Sequence, residues 1–205
     1  MLLMSFVSAT GVLLLAFLAG SVPCSNIAAR WTRGVDLRTV GTGTVSGTSL
    51  YRVAGFPALA LAGILDVAKG ALGPAVAGSG RPTLAALAGA AAVIGHNWSP
   101  WLRGAGGRGI APALGALLVQ AWPGAVLLLL GLVVGKALGE TGLGGFVAEV
   151  LLAPFLLVVD GRTAAVAGIA IAVPMLVKRV LGNGRPADPG TRPYLTRLLY
   201  DREPA

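Results

Sequence analysis

The segment Gly95 to Gly115, GHNWSPWLRGAGGRGIAPALG, carries the single histidine of the chain, His96, and then Gly106-Gly107-Arg108-Gly109 just before an apolar run that starts at Ile110. An imidazole titrating near neutrality can exchange protons. Glycines that open a helix leave backbone N–H groups and the positive end of the helix dipole facing an anion, and a guanidinium adds paired hydrogen bonds to one. Together these residues point to phosphate binding beside a proton-transfer group, with a purely structural interfacial histidine as the competing reading. Trp98 and Trp101 in the same loop read as interfacial anchors.

Asp66 and Lys69 stand three residues apart in an otherwise apolar run, so they share one helical face, and Gly70 directly after them permits close approach. Charges at such depth are costly and are kept for function, the alternative being a structural ion pair. Gly41-Thr42-Gly43-Thr44-Val45-Ser46-Gly47-Thr48-Ser49 combines flexible glycines with hydroxyls that can surround an oxyanion, or forms a flexible linker. Arg38 and Arg52 flank it, and either could hold a phosphate bidentately. Glu149 lies alone in a later apolar run and either faces the bundle, pairing with Lys69 or Arg52, or sits near the interface. No residues are spaced as metal ligands, and no metal or cofactor is expected. Cys24 has no second cysteine to pair with and reads as packing.

The elements that must position these groups are set by composition. The 205 residues are 55% hydrophobic and only 12% charged, with a net charge of +8 and mean hydropathy +0.80, which is too apolar for a soluble domain of this size. Sparse basic residues then follow membrane topology, and nucleic-acid binding is excluded. The expected fold is an all-α integral membrane bundle. Apolar runs lie near 1–23, 53–78, 82–97, 110–134, 143–160 and 163–181, each measured against the about 20 residues that cross a bilayer. The first run lacks a basic n-region and reads as a retained helix. The run 110–134 is one long helix or two short ones broken near Trp122-Pro123. Two short ones make about seven helices, N-terminus outside and C-terminus cytoplasmic. That count places Arg30–Arg52, Arg103–Arg108, Lys136 and the tail with Lys178, Arg179, Arg185, Arg192, Arg197 and Arg202 inside, leaving Arg81 and Arg162 outside. We divide the chain into one polytopic domain, 1–182, and a basic cytoplasmic tail, 183–205, which is disordered or lays Tyr194 to Tyr200 on anionic lipid.

Over about residues 18 to 115 the chain resembles the bacterial acyl-phosphate glycerol-3-phosphate acyltransferases of the PlsY type. The resemblance rests on five motifs in order: Gly20-Ser21-Val22-Pro23; Gly34-Val35-Asp36-Leu37-Arg38; the loop Gly41 to Ser49 followed by Arg52; Asp66-x-x-Lys69-Gly70; and Gly95-His96 with Gly106-Gly107-Arg108-Gly109. It implies a seven-helix enzyme of the bacterial plasma membrane, active as a monomer at the cytoplasmic face. Such an enzyme moves an acyl group from acyl phosphate to the 1-hydroxyl of glycerol 3-phosphate and so makes lysophosphatidic acid. On that basis Gly41, Gly43, Arg52, Asp66, Lys69, Gly106, Gly107, Arg108 and Gly109 form the phosphate and substrate site. His96 orients or relays a proton, and the Thr42 hydroxyl meets a substrate oxygen without acting as a covalent nucleophile.

Several positions depart from the family pattern. The GSGNIGATN-type loop is GTGTVSGTS here, the family lysine is Arg108, and Gly104 and Ala105 replace a phenylalanine and lysine. Glu140 to Gly145 lacks the family's serines, and Val173-Pro174-Met175-Leu176 stands where the family has His-Arg-Glu-Asn. A divergent non-catalytic relative that binds phospholipid or acyl phosphate is therefore the alternative. A transporter, which would show paired repeats with broken helices, fits least.

Overall fold

The computed structural model describes residues 8–41, 43–184, 186 and 190–202, and among these the regular structure is helical throughout. Helix α1 (Ala9–Ser21) is capped by Ser8, whose hydroxyl accepts from the Gly11 N–H at 3.1 Å. It gives way at Val22-Pro23 to α2 (Cys24–Arg33), which ends on Gly34 in the left-handed conformation. A 3-10 turn at Leu37–Thr39 follows. Helix α3 (Gly47–Ala77) starts at Ser46, whose hydroxyl accepts from the Ser49 N–H, and breaks at Gly55 (φ 78°) two residues before Pro57. The chain continues through α4 (Pro82–Asn97), α5 (Ile110–Gln120), α6 (Trp122–Ala137), α7 (Thr141–Val159), α8 (Gly161–Leu181) and α9 (Arg192–Tyr200). The run 110–134 thus divides at Ala121, immediately before Trp122-Pro123.

Four segments are long and apolar enough to cross a membrane: Ala9–Arg33, Gly47–Ala77, Thr141–Val159 and Gly161–Leu181. The 16, 11 and 16 residues of α4, α5 and α6 fall short of the about 20 that a full crossing takes. The bundle is small inside and large outside. Its cores are built largely of alanine, such as Ala16, Ala88, Ala113, Ala116 and Ala148, while large aliphatic side chains such as Val133 and Val158 face outward. Lipid solvates those side chains as well as a protein core would, so association rests on close packing of small residues. The contact of α3 with α5 needs glycine on both sides: a Cβ on Gly70 would overlap the Pro112 carbonyl, and one on Gly115 the Val67 carbonyl.

Polar connections gather at one end. Asn183, just past α8, bonds the loops at Gly43 and Gly106, and the tail reaches Arg108 through Asp201 and Glu140 through Arg202. At the opposite end the connections Gly78–Arg81 and Asp160 are tight. Helix α5 leaves the polar end and α6 returns to it. The tail helix α9 packs against α7 and α8, with Arg197 donating to the carbonyls of Leu181 and Gly184 at 3.1 and 2.9 Å.

Glu149 faces the bundle, but its partner is Arg179 of α8 and not Lys69 or Arg52. Arg179 donates from Nε and Nη2 to the two carboxylate oxygens at 2.8 and 3.0 Å, and from Nη1 to the Gly142 carbonyl at 3.1 Å. Lys69 is held on α3 by its own partners, whereas α7 packs against α8 and not against α3. With both side chains almost fully buried, removing one partner strands the other charge. Glu149→Leu is expected to cost about 3–5 kcal/mol, and Glu149→Leu with Arg179→Leu far less, read as melting temperatures in detergent.

Candidate functional site

Asp66 and Lys69 lie near the middle of α3 on the face turned to α1 and α4. Lys69 Nζ sits 2.7 Å from Asp66 Oδ1 and donates to the Val22 carbonyl at 2.6 Å, at the break between α1 and α2. His96, in the last turn of α4, places Nδ1 3.9 Å from the same Asp66 oxygen. Three titratable side chains from two helices therefore share one buried point. Asp66 Oδ1 has no hydrogen-bond partner among the described residues, although the ammonium lies beside it.

The glycine loop closes over this point. The Gly107 N–H donates to the His96 carbonyl at 3.2 Å, and a Cβ on Gly107 would overlap the imidazole Nε2, so only glycine lets the backbone lie against the ring. Gly106 accepts from the Val45 N–H at 3.2 Å, which brings the two glycine-containing loops together. Gly109 (φ 82°) is the N-cap of α5. His96, Val45, Gly106, Gly107, Pro23 and Leu102 line a cavity of about 10 Å³, room for one water-sized group.

The other expected residues are placed differently. Arg108 is buried, but it turns toward α8 and the tail, with Nη1 donating to the Lys178 carbonyl at 2.9 Å and Nε to the Asp201 carboxylate. Arg52 is exposed near the start of α3 and has no partner among the described residues. Gly41 and Gly43 both have positive φ, and the Gly43 carbonyl accepts from Asn183. Thr42 lies outside the described residues. Arg38 and Arg30 both donate to Asp36, and the Arg38 guanidinium holds the Asp36 carboxyl well below the usual carboxylate range. The structure thus gathers Asp66 and Lys69 around His96, which lines the pocket with Gly106 and Gly107, and leaves Arg52 and Arg108 out of that group.

Three residues near the site escaped sequence reasoning. Asn183 donates to the Gly43 and Gly106 carbonyls at 3.0 and 2.9 Å and accepts from the Gly106 N–H at 3.0 Å, tying both loops to the end of α8. Lys178 is fully buried, with Nζ 5.1 Å above the Trp98 ring and no hydrogen-bond partner among the described residues. Asp201 pairs with Arg108. The one available signal was an asparagine directly after the helix-ending Gly182; Lys178 and Asp201 sit in a basic stretch that gives no sign of partners.

A family model described as Glycerol-3-phosphate acyltransferase matches residues 10–183. A glycerol-3-phosphate acyltransferase from Myxococcus xanthus (strain DK1622) is 44% identical over 113 residues, covering 54% of this chain and 59% of that protein. One from Synechococcus sp. (strain CC9902) is 36% identical over 187 residues, covering 90% of this chain and 94% of that protein. The fold is similar to a crystal structure of PlsY, an integral membrane glycerol 3-phosphate acyltransferase, in its glycerol 3-phosphate form. The TM-score is 0.78 at 26% identity, covering 96% of this chain and 94% of that one.

Because Asn183 bonds both loops, Asn183→Ala removes three hydrogen bonds worth roughly 1 kcal/mol each and leaves the Val45–Gly106 bond as the direct link between them. Peptides covering 43–50 and 104–110 are expected to exchange amide hydrogens at least tenfold faster in this variant, with α7 unchanged. Equal exchange rates would show that Asn183 does not hold the loops.

Proposed function

The chain belongs to the glycerol-3-phosphate acyltransferase family, and we propose that its acyl donor is an acyl phosphate and its acceptor the 1-hydroxyl of glycerol 3-phosphate. It is a membrane acyltransferase that makes lysophosphatidic acid. The observation that carries the finer reading is that His96, which lines one pocket with the Gly106-Gly107 backbone, stands against the Asp66–Lys69 pair.

In this reaction the hydroxyl oxygen attacks the acyl carbonyl carbon and the carbon–oxygen bond to phosphate breaks. Phosphate leaves with that electron pair, and the hydroxyl proton passes to a base. His96 serves as that base or orients the relay, with Asp66 facing Nδ1 and Gly107 lying against Nε2. The Lys69 ammonium and the backbone of Gly106, Gly107 and Gly109 stabilise charge on the departing phosphate. Gly41, Gly43 and the Thr42 hydroxyl meet substrate oxygens, and Arg52 and Arg108 bind phosphate. For Arg108 this requires release from Asp201, which an incoming dianion favours by offering a stronger bidentate partner.

The pocket opens at the end where the arginine-bearing loops collect, so we place it at the cytoplasmic face of a bacterial plasma membrane. We read seven passes, N-terminus outside and C-terminus cytoplasmic, a reading that the outward and return paths of α5 and α6 support. The chain acts as a monomer, 1–182 being the membrane domain and 183–205 the cytoplasmic tail. The second reading, a non-catalytic binder of phospholipid or acyl phosphate, is favoured by Val173-Pro174-Met175-Leu176 standing where the family has polar groups.

Phosphate release from palmitoyl phosphate separates the two. Purified protein should release phosphate faster when glycerol 3-phosphate is present, and His96→Ala should lower that rate by about 10²–10⁴-fold. Arg108→Ala should raise KM more than it lowers kcat. No acceptor-dependent release above a membrane blank would sink the enzyme and leave the binder. For topology, in a Cys24→Ala background, cysteines at Arg33, Arg103 and Arg192 should all label from the cytoplasmic side; labelling of Arg192→Cys from outside rejects seven passes.

A further inference from the structure

The one cation of the Gly106–Gly109 loop is taken up by the C-terminal tail. Arg108 donates from Nε to the Asp201 carboxylate and from Nη1 to the Lys178 carbonyl at 2.9 Å. Its neighbours in sequence are Gly107, which lies against the His96 ring, and Gly109, the N-cap of α5. Nothing in α9 itself favours an anion at position 201. Asp201 is the C-cap of that helix, where the dipole presents its negative end and a carboxylate is disfavoured. Its φ of 52° lies in the left-handed region, which costs every residue but glycine something, although aspartate tolerates it better than most. The pairing with Arg108 offsets both local costs.

The tail is built to carry the carboxylate to that place. Upstream of it, buried Arg197 donates to the Leu181 and Gly184 carbonyls, and the Tyr200 carbonyl lies so close to Gly142 of α7 that a Cβ there would overlap it. Downstream, Arg202 pairs with Glu140, an exposed pair that holds weakly. Asp201 thus sits between a firm anchor and a loose one. Its side chain is 28% exposed, so the carboxylate is hydrated again once released. Arg108 meets this carboxylate from Nε, whereas a phosphate dianion carries more charge and takes two hydrogen bonds from one guanidinium.

We propose that residues 192–202 form an autoinhibitory strap, in which Asp201 occupies Arg108 until the phosphate of a substrate displaces it. This role rests on the acyltransferase reading, in which Arg108 binds phosphate. The strap lies beyond residues 10–183, the stretch that the family model matches. A purely structural pairing has the opposite signature: without Asp201 the buried guanidinium is left alone, the glycine loop loosens, and substrate binds more weakly.

Titration of the full chain in neutral maltoside detergent, with glycerol 3-phosphate and separately with palmitoyl phosphate, tells the two apart. Asp201→Asn is expected to bind one of these ligands about tenfold more tightly, the effect of removing one charge-assisted competitor, and the ligand that gains is the one whose phosphate Arg108 meets. Glu140→Gln frees the loose anchor without touching Arg108 or Asp201, and gives a smaller gain for the same ligand. In an Arg108→Gln background Asp201→Asn gives no gain. Asparagine tolerates the left-handed backbone at position 201, and melting temperatures verify that each variant folds. Unchanged or weaker binding of both ligands in Asp201→Asn and Glu140→Gln, or a gain that persists without Arg108, overturns the strap. Acyl transfer assayed in parallel keeps the readings apart. Transfer without any gain in binding overturns the strap alone, and the Arg108-dependent gain without transfer overturns the enzyme alone.

Discussion

Much of this molecule depends on one ammonium group. Lys69 is buried, so its charge is met mainly from within the protein, by Asp66 and by the Val22 carbonyl. The second contact crosses from α3 to the point where α1 hands over to α2. Proline at position 23 ends one helix and directs the next, and the lysine fixes that joint against the centre of the bundle. The small pocket around His96 borders this joint.

Close packing then determines what can reach the pair. Gly70 follows Lys69 directly and has no side chain, so α5 presses its backbone against α3. Because α5 begins right after Gly106 to Gly109, that contact carries the glycine loop over Asp66 and His96. Gly107 completes the approach by lying flat against the imidazole. The same residue type has two different roles here, helix contact in one case and ring contact in the other, and each would be lost with a single methyl group. The alanine-rich interior around these contacts follows from the solvent: in lipid, large aliphatic side chains gain nothing by being inside.

Charge pairing outside the pocket is arranged from the C-terminal end of the chain. Arg179 of α8 neutralises Glu149, Arg108 is met by the tail residue Asp201, and Asn183 bonds two loops that are far from it in sequence. The end of α8 and the tail therefore form a scaffold for the polar loops. Asn183 supplies amide hydrogen bonds to the carbonyls of Gly43 and Gly106.

The sequence by itself determined the membrane setting, the helical class, the break near Trp122-Pro123 and several of the residues that come together around His96. Each is written in local pattern: apolar run length, a proline in a helix, an acid and base three residues apart, glycines beside a histidine. Motif order also identified the family before any contact was known. Which charges meet was decided only by the tertiary structure. Glu149 pairs with Arg179 and not with Lys69 or Arg52, Arg108 turns away from His96, and Asn183 and Asp201 enter the site from a stretch that had read as tail. A buried charge takes whichever partner the packing of helices brings within about 3 Å, and that packing depends on where small residues let backbones touch.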